Sequence, residues 1–83
     1  MENILMKYKN ETGITYKILT DKINNILEKN GSLIRIDRTQ TEDYCKSKST
    51  QPRYEDVPKA MAELLNCSIS DLLSSIKTCK KGD

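Results

Sequence analysis

Ile18, Leu19, Ile23, Ile26 and Leu27 recur at steps of 1, 4, 3 and 1. Residues so spaced share one face of an α-helix and of no other regular structure. Thr15, just ahead of the stripe, is a natural N-cap, and Ile14 stands in the staple position. Asn30 and Gly31 stop the run, so the spacing predicts a helix through about Lys29. Lys17, Lys22 and Glu28 fall off the stripe. The helix needs something to pack against, and 83 residues allow one domain, over 1–83, and no second. The apolar residues on hand are chiefly nine Ile, eight Leu and three Met, and the only aromatics are four Tyr. Aliphatic residues in these proportions suit packed helix stripes better than a sheet rich in Val and aromatics. The expected fold is all-α.

The other segments carry similar marks. Ile4, Leu5 and Tyr8 give one amphipathic turn over residues 2–9, closed near Gly13, which suits the left-handed position after a helix. Leu33, Ile34 and Ile36 are too few to separate a short extended stretch from a buried connector. Asp37, Thr39 and Thr41 are all N-cap candidates for a short helix over about 38–47. A polar loop follows, punctuated by Pro52. Pro58 marks the first turn of a fourth helix, with Met61, Leu64 and Leu65 as its expected buried stripe and Asn66 as its end. Ser68, with Asp71 three residues on, opens a fifth helix that carries Ile69, Leu72, Leu73 and Ile76. Residues 77–83 read as a polar, frayed tail.

The chain has no His, so histidine triads and mixed Cys/His zinc sites are excluded. Cys45, Cys67 and Cys79 are 22 and 12 residues apart, a spacing that matches no zinc or redox motif. Reduced, partly buried thiols are the expectation, with no metal and no cofactor. Nothing sets a nucleophile beside a base, so no enzymatic role is expected. No apolar run is long enough to span a membrane, and the first residues lack the features of a signal peptide. A cytoplasmic protein is expected. Fourteen basic against twelve acidic residues leave +2, which is compatible with binding nucleic acid.

The order of segments is more informative than any one of them. Residues 13–24 read Gly-Ile-Thr-Tyr-Lys-Ile-Leu-Thr-Asp-Lys-Ile-Asn, and residues 66–73 read Asn-Cys-Ser-Ile-Ser-Asp-Leu-Leu. The first resembles the second helix of the Cro and lambda-repressor-like (Xre-type) helix-turn-helix family. The second resembles that family's closing stretch, with Met61, Ala62 and Leu65 in the preceding pattern. Between them, Ile36 to Gln40, Tyr44, Lys46 to Lys48 and Pro52 resemble its recognition helix and the loop after it. The resemblance covers roughly residues 4–76. It implies a compact five-helix lambda-repressor-like domain with an irregular insert after the second helix. Thr20 stands where the family has a small Ala, and Asn24 where it has the turn Gly. About ten residues, 25–35, are inserted where the family has a tight turn. Either the second helix is longer, or a loop or small hairpin intervenes.

The resemblance further implies a regulator that binds double-stranded DNA as a homodimer, like phage or mobile-element repressors. Arg38, Thr39, Gln40 and Thr41 are then the candidate base contacts, Arg38 to guanine and Gln40 to adenine. Tyr16, Lys17, Lys46, Ser47, Lys48 and Arg53 are the candidate phosphate contacts. Glu42 and Asp43 lie in the same helix and are repelled by phosphate unless they point away. Those two acids and the insert motivate an alternative, a protein-binding inhibitor or antirepressor on the same scaffold. An antitoxin would combine both activities.

Overall fold

The computed structural model describes residues 2–49, 52 and 54–78. Among these are five α-helices and no strand: α1 (Ile4–Thr12), α2 (Tyr16–Lys29), α3 (Arg38–Cys45), α4 (Asp56–Leu65) and α5 (Ile69–Thr78). The all-α expectation holds. Thr15, Asp37 and Ser68 each accept a bond from the backbone amide three residues on, as N-caps do.

One core joins the helices. Leu5 of α1, Leu19, Ile23 and Leu27 of α2, Ala60 and Met61 of α4, and Leu72 and Ile76 of α5 are all buried. Each buried Leu or Ile contributes about 1.5–3 kcal/mol. Helix α4 packs on both α2 and α5, and α1 packs on α3, α4 and α5. The buried stripe of α4 lies one turn earlier than its spacing suggested. Val57, Ala60 and Met61 are buried, while Leu64 and Leu65 are half-buried. Ile18 and Ile69 are exposed, each at the edge of its stripe.

Residues 25–35, read above as an insert, divide in two. Residues 25–29 continue α2, so the second helix is the longer one. Residues 32–37 then run without turn or bend. Burial alternates along them: Ile34 is half-buried and Ile36 buried, while Leu33 and Arg35 are exposed. A period of two marks extended chain. Asn24 is therefore not a turn residue but lies inside α2. Its Oδ1 accepts from the Ile36 amide and its Nδ2 donates to the Ile36 carbonyl, both at 2.9 Å.

Helix α3 is two residues shorter than expected. It ends because Ser47 takes a left-handed φ of 57°. The Lys48 amide reaches back to the Asp43 carbonyl (2.8 Å) and the Ser47 amide to Tyr44 (3.2 Å). That pairing is a Schellman motif with Ser where Gly is usual. A non-Gly residue in this region needs outside support. Asn3 supplies it. Its Nδ2 donates to Ser47 Oγ (2.9 Å) and to the Tyr44 carbonyl (2.8 Å), while its Oδ1 caps α1 through the Met6 amide (2.9 Å). Asn3 is 1% and Ser47 2% exposed.

Asn3→Ala removes a cap and two buried bonds at once. We expect a loss of about 2–3 kcal/mol in urea unfolding. Asn30→Ala, which removes one exposed bond to Glu63, is expected to cost under about 0.5 kcal/mol. Equal losses for the two variants would contradict the role given to Asn3.

Candidate nucleic-acid interface

Helix α3 is held in place by groups on its inner face. The Thr20 and Thr41 hydroxyls are 2.6 Å apart, across the contact between α2 and α3. Each hydroxyl has one proton. The two shorter contacts make a consistent chain: Thr41 donates to Thr20, and Thr20 donates to the Tyr16 carbonyl at 2.7 Å. Thr20 thus sits where two helices approach closely, and a hydroxyl pair makes the contact. Tyr44 and Cys45 are buried on the same side. Burial pushes the Cys45 thiol up to about 12, which leaves it unreactive.

The buried face removes two of the expected contacts. Thr41 is 0% exposed and bonded within the protein, so it is unable to touch a base. Ser47 is buried and bonded to Asn3, so it is unable to touch a phosphate. Both belong to the packing of α3. Gln40 is exposed, but its Oε1 accepts from the Asp37 amide (3.0 Å) while its own amide donates to Asp37 Oδ1 (2.8 Å). This is a capping box, and it ties up half of the Gln40 side-chain amide. Arg53 lies outside the described residues.

The remaining described candidates are exposed except Tyr16, which is half-buried, and several share a surface. Arg38, Glu42 and Lys46 succeed one another at intervals of four along α3, which is one face of a helix. Glu42 lies between the two cations, 2.6 Å from Lys46 and 3.9 Å from Arg38. The Lys46 hydrogen bond, followed by the nearby positive charges of Lys46, Arg38 and Lys48, holds the Glu42 carboxyl below the usual range. The same hydrogen bond raises Lys46. Glu42 therefore faces the same side as the cations rather than away from them. Thr39 and Lys48 are exposed nearby in sequence. Lys17 is exposed and loosely paired with Asp21 at 3.5 Å.

Tyr16, at the start of α2, belongs to this region, since Lys46 and Glu42 both act on its hydroxyl. Its hydroxyl donates to Met6 Sδ at 3.9 Å, and burial raises its pKa. Lys9 is a further cation here, which sequence reasoning missed. Its ammonium lies 4.5 Å from the centre of the Tyr16 ring. A cation over a ring face is attracted by the ring quadrupole. No local pattern announces Lys9, because the contact depends on how α1 packs beside α2.

The surface is thus a set of exposed cations, Arg38, Lys46 and Lys48, around the Glu42 carboxylate, with half-buried Lys9 against the Tyr16 ring. Among the described residues no group of three metal-ligating side chains occurs, and no helix is long and apolar enough to cross a membrane. No family model matches the chain, and no curated protein or solved structure matches it either.

Because the folded-state pKa of Glu42 is depressed, its pairing is present at neutral pH. It is lost as pH falls through that depressed value. An NMR carboxyl titration is expected to place Glu42 below the ordinary Glu value of about 4.3. Lys46→Ala should bring it back most of the way. A Glu42 midpoint at or above the ordinary value would contradict the pairing.

Proposed function

We propose that this chain is a small cytoplasmic transcriptional regulator of the helix-turn-helix kind. It binds double-stranded DNA as a homodimer and reads the major groove with the first turn of α3. One observation carries the reading: Arg38 and Thr39 stand exposed on a helix whose other face is hydrogen-bonded to Asn3, the N-cap of α1, and to Thr20 of α2, while Asn24 of α2 clamps the connector that leads into it. A reading head must be held rigidly for its side chains to reach base edges in register. Arg38 suits a bidentate contact to guanine, and Thr39 a thymine methyl or a phosphate. Gln40 offers only its free amide protons. Lys46, Lys48 and Lys17 suit phosphates, with Tyr16 beside them. The Glu42 pairs are exposed and so worth little, which lets phosphate displace the carboxylate from its cations.

A protein-binding role on the same scaffold is the second reading, favoured by Leu33, which is 97% exposed. One stoichiometric protein partner, with no binding to any duplex, would decide for it.

The test is an anisotropy titration against duplexes from upstream of the chain's own gene, at two salt concentrations. Binding should be sequence-selective and should weaken with salt. Arg38→Ala is expected to lose selectivity by about tenfold at one base position. Lys48→Ala should weaken all duplexes alike and reduce the salt slope by about one unit. Glu42→Gln should strengthen binding to every duplex by several-fold, since it removes the one carboxylate in the stripe. Absence of salt-dependent, selective binding would falsify the DNA reading.

A further inference from the structure

The connector between α2 and α3 has an unpaired edge. Ile36 is bonded on both its amide and its carbonyl to Asn24, and the Ile34 amide is bonded to Ser32 Oγ at 3.1 Å. The Ser32 and Ile34 carbonyls accept from Arg35 Nη1 at 2.8 and 2.7 Å. The alternate residues differ. Among the described residues, the backbone amides and carbonyls of Leu33 and Arg35 have no hydrogen-bond partner. In extended chain, residues two apart direct these groups to the same edge. Residues 33–35 therefore present two donors and two acceptors in line, beside a Leu side chain that is 97% exposed. Such an edge is a template for another strand.

We propose that this edge pairs with the same segment of a second copy, antiparallel about a two-fold axis at Ile34. In that register the Leu33 amide donates to the carbonyl of the partner's Arg35, and the Leu33 carbonyl accepts from the amide of the partner's Arg35. The two-fold repeats this pair, giving four bonds and leaving no group on the edge unpaired. The alternatives are worse. A two-fold at Arg35 sets two guanidinium groups opposite each other, which is unfavourable. A two-fold at Leu33 sets Arg35 against the partner's Gly31, whose φ of 82° ends the extended run. Only the Ile34 register is both complete and free of facing like charges, and this self-complementarity is why a second copy is the occupant. Leu33 then lies along the aliphatic stem of the partner's Arg35 and leaves water. On the other face, a cleft of about 340 Å³ runs beside the connector, lined by Ile34, Ile36, Tyr44, Tyr54 and Val57 among others. Arg35, Gln40 and Ser49 complete its lining, so the partner's Ile34 meets a wall of mixed apolar and polar groups.

Three residues a side are far short of the roughly 800 Å² per partner of a stable interface, so the dimer is concentration-dependent in the free protein. The proposal rests on the DNA-binding reading only for the use made of the dimer. A two-fold dimer carries one α3 per copy, one for each half-site of a two-fold operator.

Sedimentation equilibrium of the full chain without DNA, from micromolar to millimolar, tests the edge. The mass is expected to rise from 9.5 kDa towards twice that value. Leu33→Pro removes a donor that bonds nothing within one chain, so its thermal melt should match the parent's. Its dimerisation should be weaker by about tenfold or more. Leu33→Ala keeps the backbone bonds and should weaken it less. In hydrogen exchange by NMR, the Leu33 and Arg35 amides should slow as concentration rises, and the Ile34 amide should not change. A chain that stays monomeric throughout overturns the proposal, including one that takes up an extended peptide from another protein instead. So does a dimer equally strong with Leu33→Pro. Failure to bind DNA leaves these readouts unmoved and counts against the preceding reading alone.

Discussion

The position of α3 depends on hydrogen bonds more than on apolar burial. The helix is eight residues long, well below the length at which isolated helices persist in water. Its apolar contribution to the core is Tyr44 and Cys45. What holds it are three polar attachments on buried or half-buried side chains. Asn24 clamps the chain just before the helix, the Thr20–Thr41 pair grips its middle, and Asn3 holds its end. Each comes from a different place in the chain, and each bond lies away from water, where an unmade bond is costly. A short polar helix fixed in this way keeps its outer face free for contacts, because little of that face is needed to hold it.

The ends of α1 to α4 follow one rule with three residue types. Gly13, Gly31, Ser47 and Asn66 all have positive φ, and after each the next amide reaches back five residues to a helix carbonyl. Glycine and asparagine enter this region readily, and they mark three of the ends in the sequence. Serine does not, so the end of α3 was not legible locally. Its support, Asn3, is 44 residues away.

The candidate interface divides the same way. Exposed Arg38, Thr39, Lys46 and Lys48 could be read as polar residues of one segment, and all four are on the surface. Thr41 and Ser47 are equally polar and follow at ordinary helix spacing, yet both are buried. Nothing in their identity distinguishes them, because a threonine hydroxyl satisfies itself as well against Thr20 as against water or phosphate. The direction of Glu42 was likewise open until α3 was placed. Its interval of four to Arg38 and Lys46 allowed a shared face, and the ion pairs show that the face is shared and exposed.

By itself the sequence determined five helices, the N-caps of α2 and α5 and most of the helix ends, since aliphatic spacing, capping side chains and left-handed residues act over one or two turns. It also determined the lack of histidine chemistry and the aliphatic make-up of the core. Only the tertiary structure decided that residues 25–35 lengthen α2 and then run extended, because Asn24 must find the Ile36 backbone to make that path favourable. It alone decided which polar residues of α3 turn inward, which stripe of α4 is covered, and that Leu33 is left bare. Those outcomes depend on partners distant in sequence, and burial and hydrogen-bond satisfaction are properties of the assembled core rather than of any segment.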